Sequence, residues 1–263
     1  MDFYLIPPNT ELALSGHGDR YFVLCHHYLN DETYRWFFQQ IRRTKPDVWI
    51  TLDNGAAEDS LVTEDQLMEV VKELKPNEVI APDVLFDTVQ TLMNYYSFKM
   101  KMSIRGLLQH TKIFACPQGN TKQEWMDCYY KMITDGDCST IGLSKIAVPK
   151  CWNNATGDTQ IASSRNQCVD ELYKRGWLLK PVHLLGMGEH TEFDFYLNNK
   201  IPNIRSSDSC YTVLAAINGI SFESGDTTRI PTTNDYFNTR LTHEQTELAI
   251  KNINYLKTKY NKI

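Results

Sequence analysis

Val48-Trp49-Ile50-Thr51-Leu52 runs into Asp53-Asn54-Gly55, and after a polar stretch come Leu67, Val70, Val71 and Leu74. The first five residues form a short, largely apolar run, as in a strand buried on both faces of a parallel sheet. Asp-Asn-Gly ends that run with turn formers. The later apolar positions fall at i, i+3, i+4 and i+7, one face of a helix. Thr63, with Gln66 three residues on, supplies a capping box at its start.

This strand–turn–helix unit recurs. Apolar runs at 21–25, 78–81, 112–116, 139–143 and 182–185, with a weaker one at 203–206, join 48–52, and 219–222 offers an eighth. Helical spacing appears at Tyr34, Phe37, Phe38 and Ile41, and at Trp125, Cys128, Tyr129 and Met132 after the cap Asn120-Thr121. It appears again at Cys168, Leu172 and Tyr173, and in a closing helix carrying Leu248, Ile250, Ile253 and Leu256. About eight such units in 263 residues predict an α/β chain, one (β/α)8 TIM-like barrel domain over 1–263. A doubly wound sheet is the alternative; the lack of a phosphate-binding loop favours the barrel.

With 42% hydrophobic residues the chain can bury a large core, and its net charge of -5 does not announce a nucleic-acid binder, though a local basic groove stays open. Basic residues cluster at Arg42, Arg43 and Lys45, at Lys99, Lys101 and Arg105, and at Lys257, Lys259 and Lys262; a solvated face is the plain reading of each. The seven cysteines are widely spaced, without a Cys-x-x-Cys pair, so neither a disulfide framework nor a compact zinc site is expected. The start Met1-Asp2-Phe3-Tyr4 lacks the features of a signal peptide, and no apolar stretch is long enough to span a bilayer. A reducing, cytoplasmic compartment follows.

In such a barrel the active site lies at the carboxyl ends of the strands. The runs end in Asp53-Asn54-Gly55, Pro82-Asp83, Pro117-Gln118-Gly119, Gly142-Leu143-Ser144, Gly186-Met187-Gly188 and Ser207-Asp208-Ser209. A lone Asp after a strand is as readily a helix cap. Three at one rim can split their pKa values, so that one serves as acid while another attacks, as glycosidic chemistry requires. Gln118 can hydrogen-bond a purine edge, and Gly142 and Gly186 admit close backbone approach. His183, inside an apolar run, reads first as a satisfied core histidine. His26-His27, read as strand residues, would put at most one ring at the rim. Cys116 and Cys210 are weak alternative nucleophiles. Asn154-Ala155-Thr156 has a glycosylation pattern without meaning in the cytoplasm.

Taken in order, these elements resemble the queuine and archaeosine tRNA-guanine transglycosylases. Leu52-Asp53-Asn54-Gly55-Ala56 resembles the family's Asp-Ser-Gly-Gly/Ala element. Ala81-Pro82-Asp83, Pro117-Gln118-Gly119 and Ile141-Gly142-Leu143-Ser144 follow, the last resembling Gly-Gly-Leu-Ser/Ala. Pro181-Val182-His183-Leu184-Leu185-Gly186-Met187-Gly188 is similar to Pro-x-His-Leu-x-Gly-x-Gly, and Ser206-Ser207-Asp208-Ser209 to the nucleophile element. The likeness covers roughly residues 45–215. It implies Asp208 as the nucleophile holding a covalent glycosyl intermediate and Asp53 as general acid/base. It implies Asp83, Gln118, Gly142 and Leu143 as the base-gripping residues, with His183 and Gly186 beside them.

The chain departs from the family pattern in several places. Ala56-Ala57 stand where an aromatic stacks on the base, Arg205 stands where apolar residues are usual, and only Cys210 and His243 remain where the family binds zinc. No cofactor and no metal are therefore expected. These losses, with no appended RNA-binding domain, resemble the phage and bacterial branch that inserts 7-deazaguanines into DNA. The implied partners are DNA (tRNA as the alternative) and a free 7-deazaguanine base such as 7-cyano-7-deazaguanine, with no membrane and room for a homodimer. Lys/Arg clusters near the rim would grip the polymer, and the target guanine would leave its stack to reach Asp208. A nucleosidase or glycoside hydrolase, and a barrel that merely binds a nucleobase or protein, are the competing functions.

Overall fold

The computed structural model describes residues 1–55, 62–153, 158–187, 189–225 and 230–261, without the side chains of 158 and 159. Eight parallel strands form one sheet: β1 (Asp2–Leu5), β2 (Tyr21–Leu24), β3 (Ile50–Asp53), β4 (Glu78–Ile80), β5 (Lys112–Ala115), β6 (Cys138–Ser144), β7 (Val182–Leu185) and β8 (Ile204–Ser209). Their spatial order is β1-β8-β7-β6-β5-β4-β3-β2, and a parallel bridge from Tyr4 to Arg20 brings β1 to β2. Consecutive neighbours around a nearly closed ring make a (β/α)8 barrel in a single domain and exclude the doubly wound order.

The helices are α1 (Cys25–Asn30), α2 (Glu32–Thr44), α3 (Glu64–Leu74), α4 (Thr88–Ile104), α5 (Lys122–Ile133), α6 (Ala147–Trp152), α7 (Asp158–Lys174), α8 (Glu192–Asn198), α9 (Tyr211–Ile217) and α10 (His243–Tyr260). Thr63 and Gln66 form the expected capping box on α3, and Thr121 with Glu124 forms one on α5. Asp87 caps α4 through the Gln90 amide. None of these helices is long and apolar enough to cross a membrane.

The sequence reading needs two corrections. The eighth strand is not 219–222, where a short 3-10 helix begins at Phe222, but the N-terminal Asp2–Leu5, which fills the gap beside β8. His26 and His27 lie in the first turn of α1, not in a strand, with ring centroids 4.3 Å apart. The strand rule of opposite faces therefore does not apply to them.

The barrel interior is layered. At its floor Glu78 accepts from Arg205 at 2.8 Å, from Ser139 at 3.1 Å and from Thr140. The register shifts between Ile113 and Phe114, and between Val182 and His183; these are bulges that gather Ser139, Thr140 and Arg205 onto one carboxylate. Burial pushes Glu78 up, but Arg205 and the hydroxyls more than offset this and hold it below the usual carboxylate range. Arg205, out of place as an apolar substitute, is thus the counter-ion of the barrel floor. Above it His183 is packed by Tyr4, Phe22 and Phe114, with centroids 5.2, 5.9 and 5.4 Å away.

Candidate active site

The carboxyl ends of the strands surround a cavity of about 170 Å³. Asp53, Asp83, Gln118, Gly186 and Asp208 all line it, so five of the eight residues singled out from sequence meet at one cavity. Ile6, Phe22, Leu24 and Leu185 supply apolar faces. Apolar walls with a few convergent polar groups are the usual makeup of a small-molecule site.

Asp208 is the penultimate residue of β8 and is 6% exposed. Its Oδ1 accepts from His183 Nε2 at 2.8 Å and from the Gly186 amide at 3.0 Å. Among the described residues no further hydrogen bond falls on Oδ2, which leaves that oxygen for the cavity. Burial alone would raise the carboxyl; the His183 bond, the Gly186 amide and the Lys145 cation together hold it below the ordinary carboxylate range. Burial pushes His183 down in spite of its carboxylate partner. We therefore assign a neutral imidazole with Nε2–H donating to Asp208 and Nδ1 accepting from Ser206 Oγ at 2.8 Å. His183 does not line the cavity. It is the buried post under the candidate nucleophile, a satisfied core histidine with a polar task.

Gly186 aims its amide at Asp208 by adopting φ +69°; a Cβ there would come within 2.7 Å of Lys145 Cδ. The preceding carbonyl, of Leu185, accepts from Arg165 at 2.9 Å, and Arg165 is fully buried against Glu192. Gly142 and Leu143 do not line the cavity. A Cβ on Gly142 would meet Phe114 Cε2 and Leu185 Cδ1, both at 2.6 Å, so its smallness makes room for the layer under the site. Leu143 is buried, and alternation along β6 turns it toward the helices while Ser144 lines the cavity.

A second polar group spans β3 to β5. Asp83 Oδ1 accepts from Asn54 Nδ2 at 2.7 Å, and Oδ2 from Gln118 Nε2 at 2.6 Å. Both amides are oriented by backbone: Asn54 Nδ2 also donates to the Ala81 carbonyl, and Gln118 Oε1 accepts from the Phe86 amide. Neither can flip without losing a backbone partner. Burial pushes Asp83 up, against the pull of these two amides. The cavity thus holds one carboxylate driven down and another driven up, the separation that lets two acids take different roles. Asp53 Oδ2 accepts from the Gly55 amide at 2.9 Å, and Gly55 takes φ +78°.

Cys116 and Cys210 line the cavity as well, and burial keeps the Cys116 thiol far above its ordinary range, against nucleophilic use. All seven cysteines are free, and among the described residues no cluster of His, Cys, Asp or Glu is placed to hold a metal. Asn54 stands at a strand end in the sequence but without a role of its own, and neither Lys145 nor Phe237 was singled out. Lys145 follows a strand-end Ser and could have been found by position. Phe237, which lines the cavity and rests on His27 at 4.3 Å, comes from an aperiodic segment that gives no signal. Ala56, Ala57, Gly188, Lys262 and the 154–156 acceptor pattern lie outside the described residues.

The basic clusters are largely engaged within the chain. Lys99 pairs with Asp135 and Asp137, Lys101 with Glu64, and Arg105 with Asp65 and Glu69. Arg42 donates to the Pro46 and Val48 carbonyls before β3, at the opposite end of the barrel from the cavity. Lys257 pairs with Asp19 and Lys259 with Asp194.

No family model and no curated protein matches the chain. Among solved structures it is similar to the crystal structure of an enolase protein from the environmental genome shotgun sequencing of the Sargasso Sea. The identity is 7%, the TM-score 0.44, and the match covers 79% of this chain and 53% of that one. The chain spans about half the length of that neighbour, and a likeness of this degree carries no argument about chemistry.

Proposed function

We propose that the chain is a guanine transglycosylase that exchanges guanine in DNA for a 7-deazaguanine base. The observation that carries the reading is Asp208, a buried carboxylate kept ionised on the wall of a cavity whose other side presents Asp83 and Gln118. The family resemblance of the strand ends supplies the roles.

Asp208 Oδ2 attacks C1′ of the target nucleoside, the C1′–N9 bond breaks, and guanine leaves with a proton from Asp53. The incoming base gives its N9 proton to Asp53 and attacks C1′ from the vacated face. The C1′–O bond then breaks, and Asp208 returns as a carboxylate. Two displacements retain the configuration at C1′. The amide-buttressed Asp83 and Gln118 meet the polar edge of the base, and Phe22, Leu185 and Phe237 supply apolar contact. His183 and Gly186 hold Asp208 through the cycle.

The test offers the protein DNA or tRNA labelled in guanine, with 7-cyano-7-deazaguanine as incoming base, and counts released label. Release from DNA that depends on the added base is the expected result. Release from tRNA alone moves the substrate to RNA, release without added base makes the protein a hydrolase, and no release from either polymer defeats the proposal.

A further inference from the structure

Helix α4 is apolar on two opposite faces. Thr91, Leu92, Tyr95, Phe98 and Met102 are buried against the barrel. On the other side Val89, Met93, Tyr96, Met100 and Ile104 are 69, 61, 44, 57 and 78% exposed. These five follow one another at intervals of four, three, four and four residues, a continuous stripe along the whole helix. Single exposed apolar residues are ordinary; a stripe of five with no polar interruption marks a surface that is covered in use.

We propose that a second copy of this chain covers it, α4 packing antiparallel on α4 across a two-fold axis between Tyr96 and Ser97. The stripe reads almost the same in both directions about that point. An antiparallel partner sets Val89 opposite Ile104 and Met93 opposite Met100, branched on branched and flexible on flexible, with the two Tyr96 rings side by side across the axis, one residue's rise apart. This is the self-complementarity a two-fold interface requires. The charges agree. In the same alignment Lys99 faces Asn94, Lys101 faces Leu92 and Arg105 faces Thr88, so no like charges meet. Each of these cations is already paired with an acid of its own chain. Antiparallel helices also set their dipoles favourably. Covering the five side chains withdraws roughly 500 Å² per copy, about 1,000 Å² in all before neighbouring residues are counted, the lower edge of a specific interface.

The measurement is the solution mass of the full chain, freed of nucleic acid by nuclease, at tens of micromolar. Twice the 30.4 kDa chain mass is expected. Met93→Glu with Met100→Glu should return the mass to a single chain that still unfolds cooperatively, because both positions are exposed within one copy. Tyr96→Cys should form a covalent dimer under mild oxidation, while Gln123→Cys, exposed on α5, should not; this arm stays informative if the double variant folds poorly. A wild-type monomer, a dimer indifferent to the two glutamates, or a dimer that Tyr96→Cys fails to cross-link each overturns the proposal.

Discussion

Replacing His183 by Leu removes the donor to Asp208 while keeping most of the ring's volume. In the wild type the Nε2–H···Oδ1 bond is 2.8 Å long and fully buried. A hydrogen bond to a charged group contributes about 1.5–3 kcal/mol, and the reshaped packing against Tyr4, Phe22 and Phe114 adds up to about 1 kcal/mol. The variant should therefore lose ~2–4 kcal/mol of unfolding free energy at neutral pH. The loss should depend on pH in a definite sense. Asp208 is held low in the folded state, so its contribution is present above its unfolded pKa and vanishes as pH falls through the folded value. His183 is also held low, so acid protonates it first in the unfolded chain and weakens the wild type from about pH 6.5 downward, a weakening the variant escapes. Both effects close the gap between the two proteins as pH falls. Urea unfolding at about pH 7.5 and again near pH 4 measures it. A gap that is the same at both values would show that packing alone is lost and would refute the assigned neutral-imidazole, ionised-Asp208 pair.

Three further outcomes follow from the same geometry. Gly142→Ala forces a Cβ to within 2.6 Å of Phe114 and Leu185, which should cost about 1–3 kcal/mol and lower the calorimetric midpoint by roughly 3–10 °C; an unchanged midpoint would mean the layer under the site is loose. Arg165→Ala leaves Glu192 buried and unpaired and should destabilise by about 3–5 kcal/mol, whereas Arg165→Met with Glu192→Leu should recover much of the loss. A double variant no better than the single one, in a denaturation cycle, would show that the pair's geometry rather than its charge is what matters. The paired glutamates on α4 should halve the solution mass, as set out above.

The barrel was legible because buried parallel strands are short apolar runs and most of its helices bury one face. Seven of the eight strands coincide with runs read from the sequence. Strand β1 was missed although Phe3, Tyr4 and Leu5 are apolar, because four residues at a terminus have no preceding helix to frame them. Residues 219–222 took its place in the reading because Ile220 and Phe222 imitate a strand; in the fold Phe222 packs on His190 at the end of a loop. Helix α4 escaped notice for the reason that makes it interesting: with two apolar faces it has no clean helical stripe. The candidate site divides likewise. Strand-end aspartates are readable from position, and Asp53, Asp83 and Asp208 do meet at one cavity. Whether a strand-end residue points into that cavity or a layer below depends on register and bulges, which is why Gly142, Leu143 and His183 do not line it.

Asp208 as the nucleophile at C1′ is the central claim to test. Incubating the protein with guanine-containing DNA, quenching in denaturant and mapping the trapped species by intact and peptide mass reads it out. A nucleic-acid adduct on the peptide that holds Asp208, absent from Asp208→Asn, is the predicted result. Guanine exchange with no adduct on that peptide, or an adduct that survives Asp208→Asn, would contradict it.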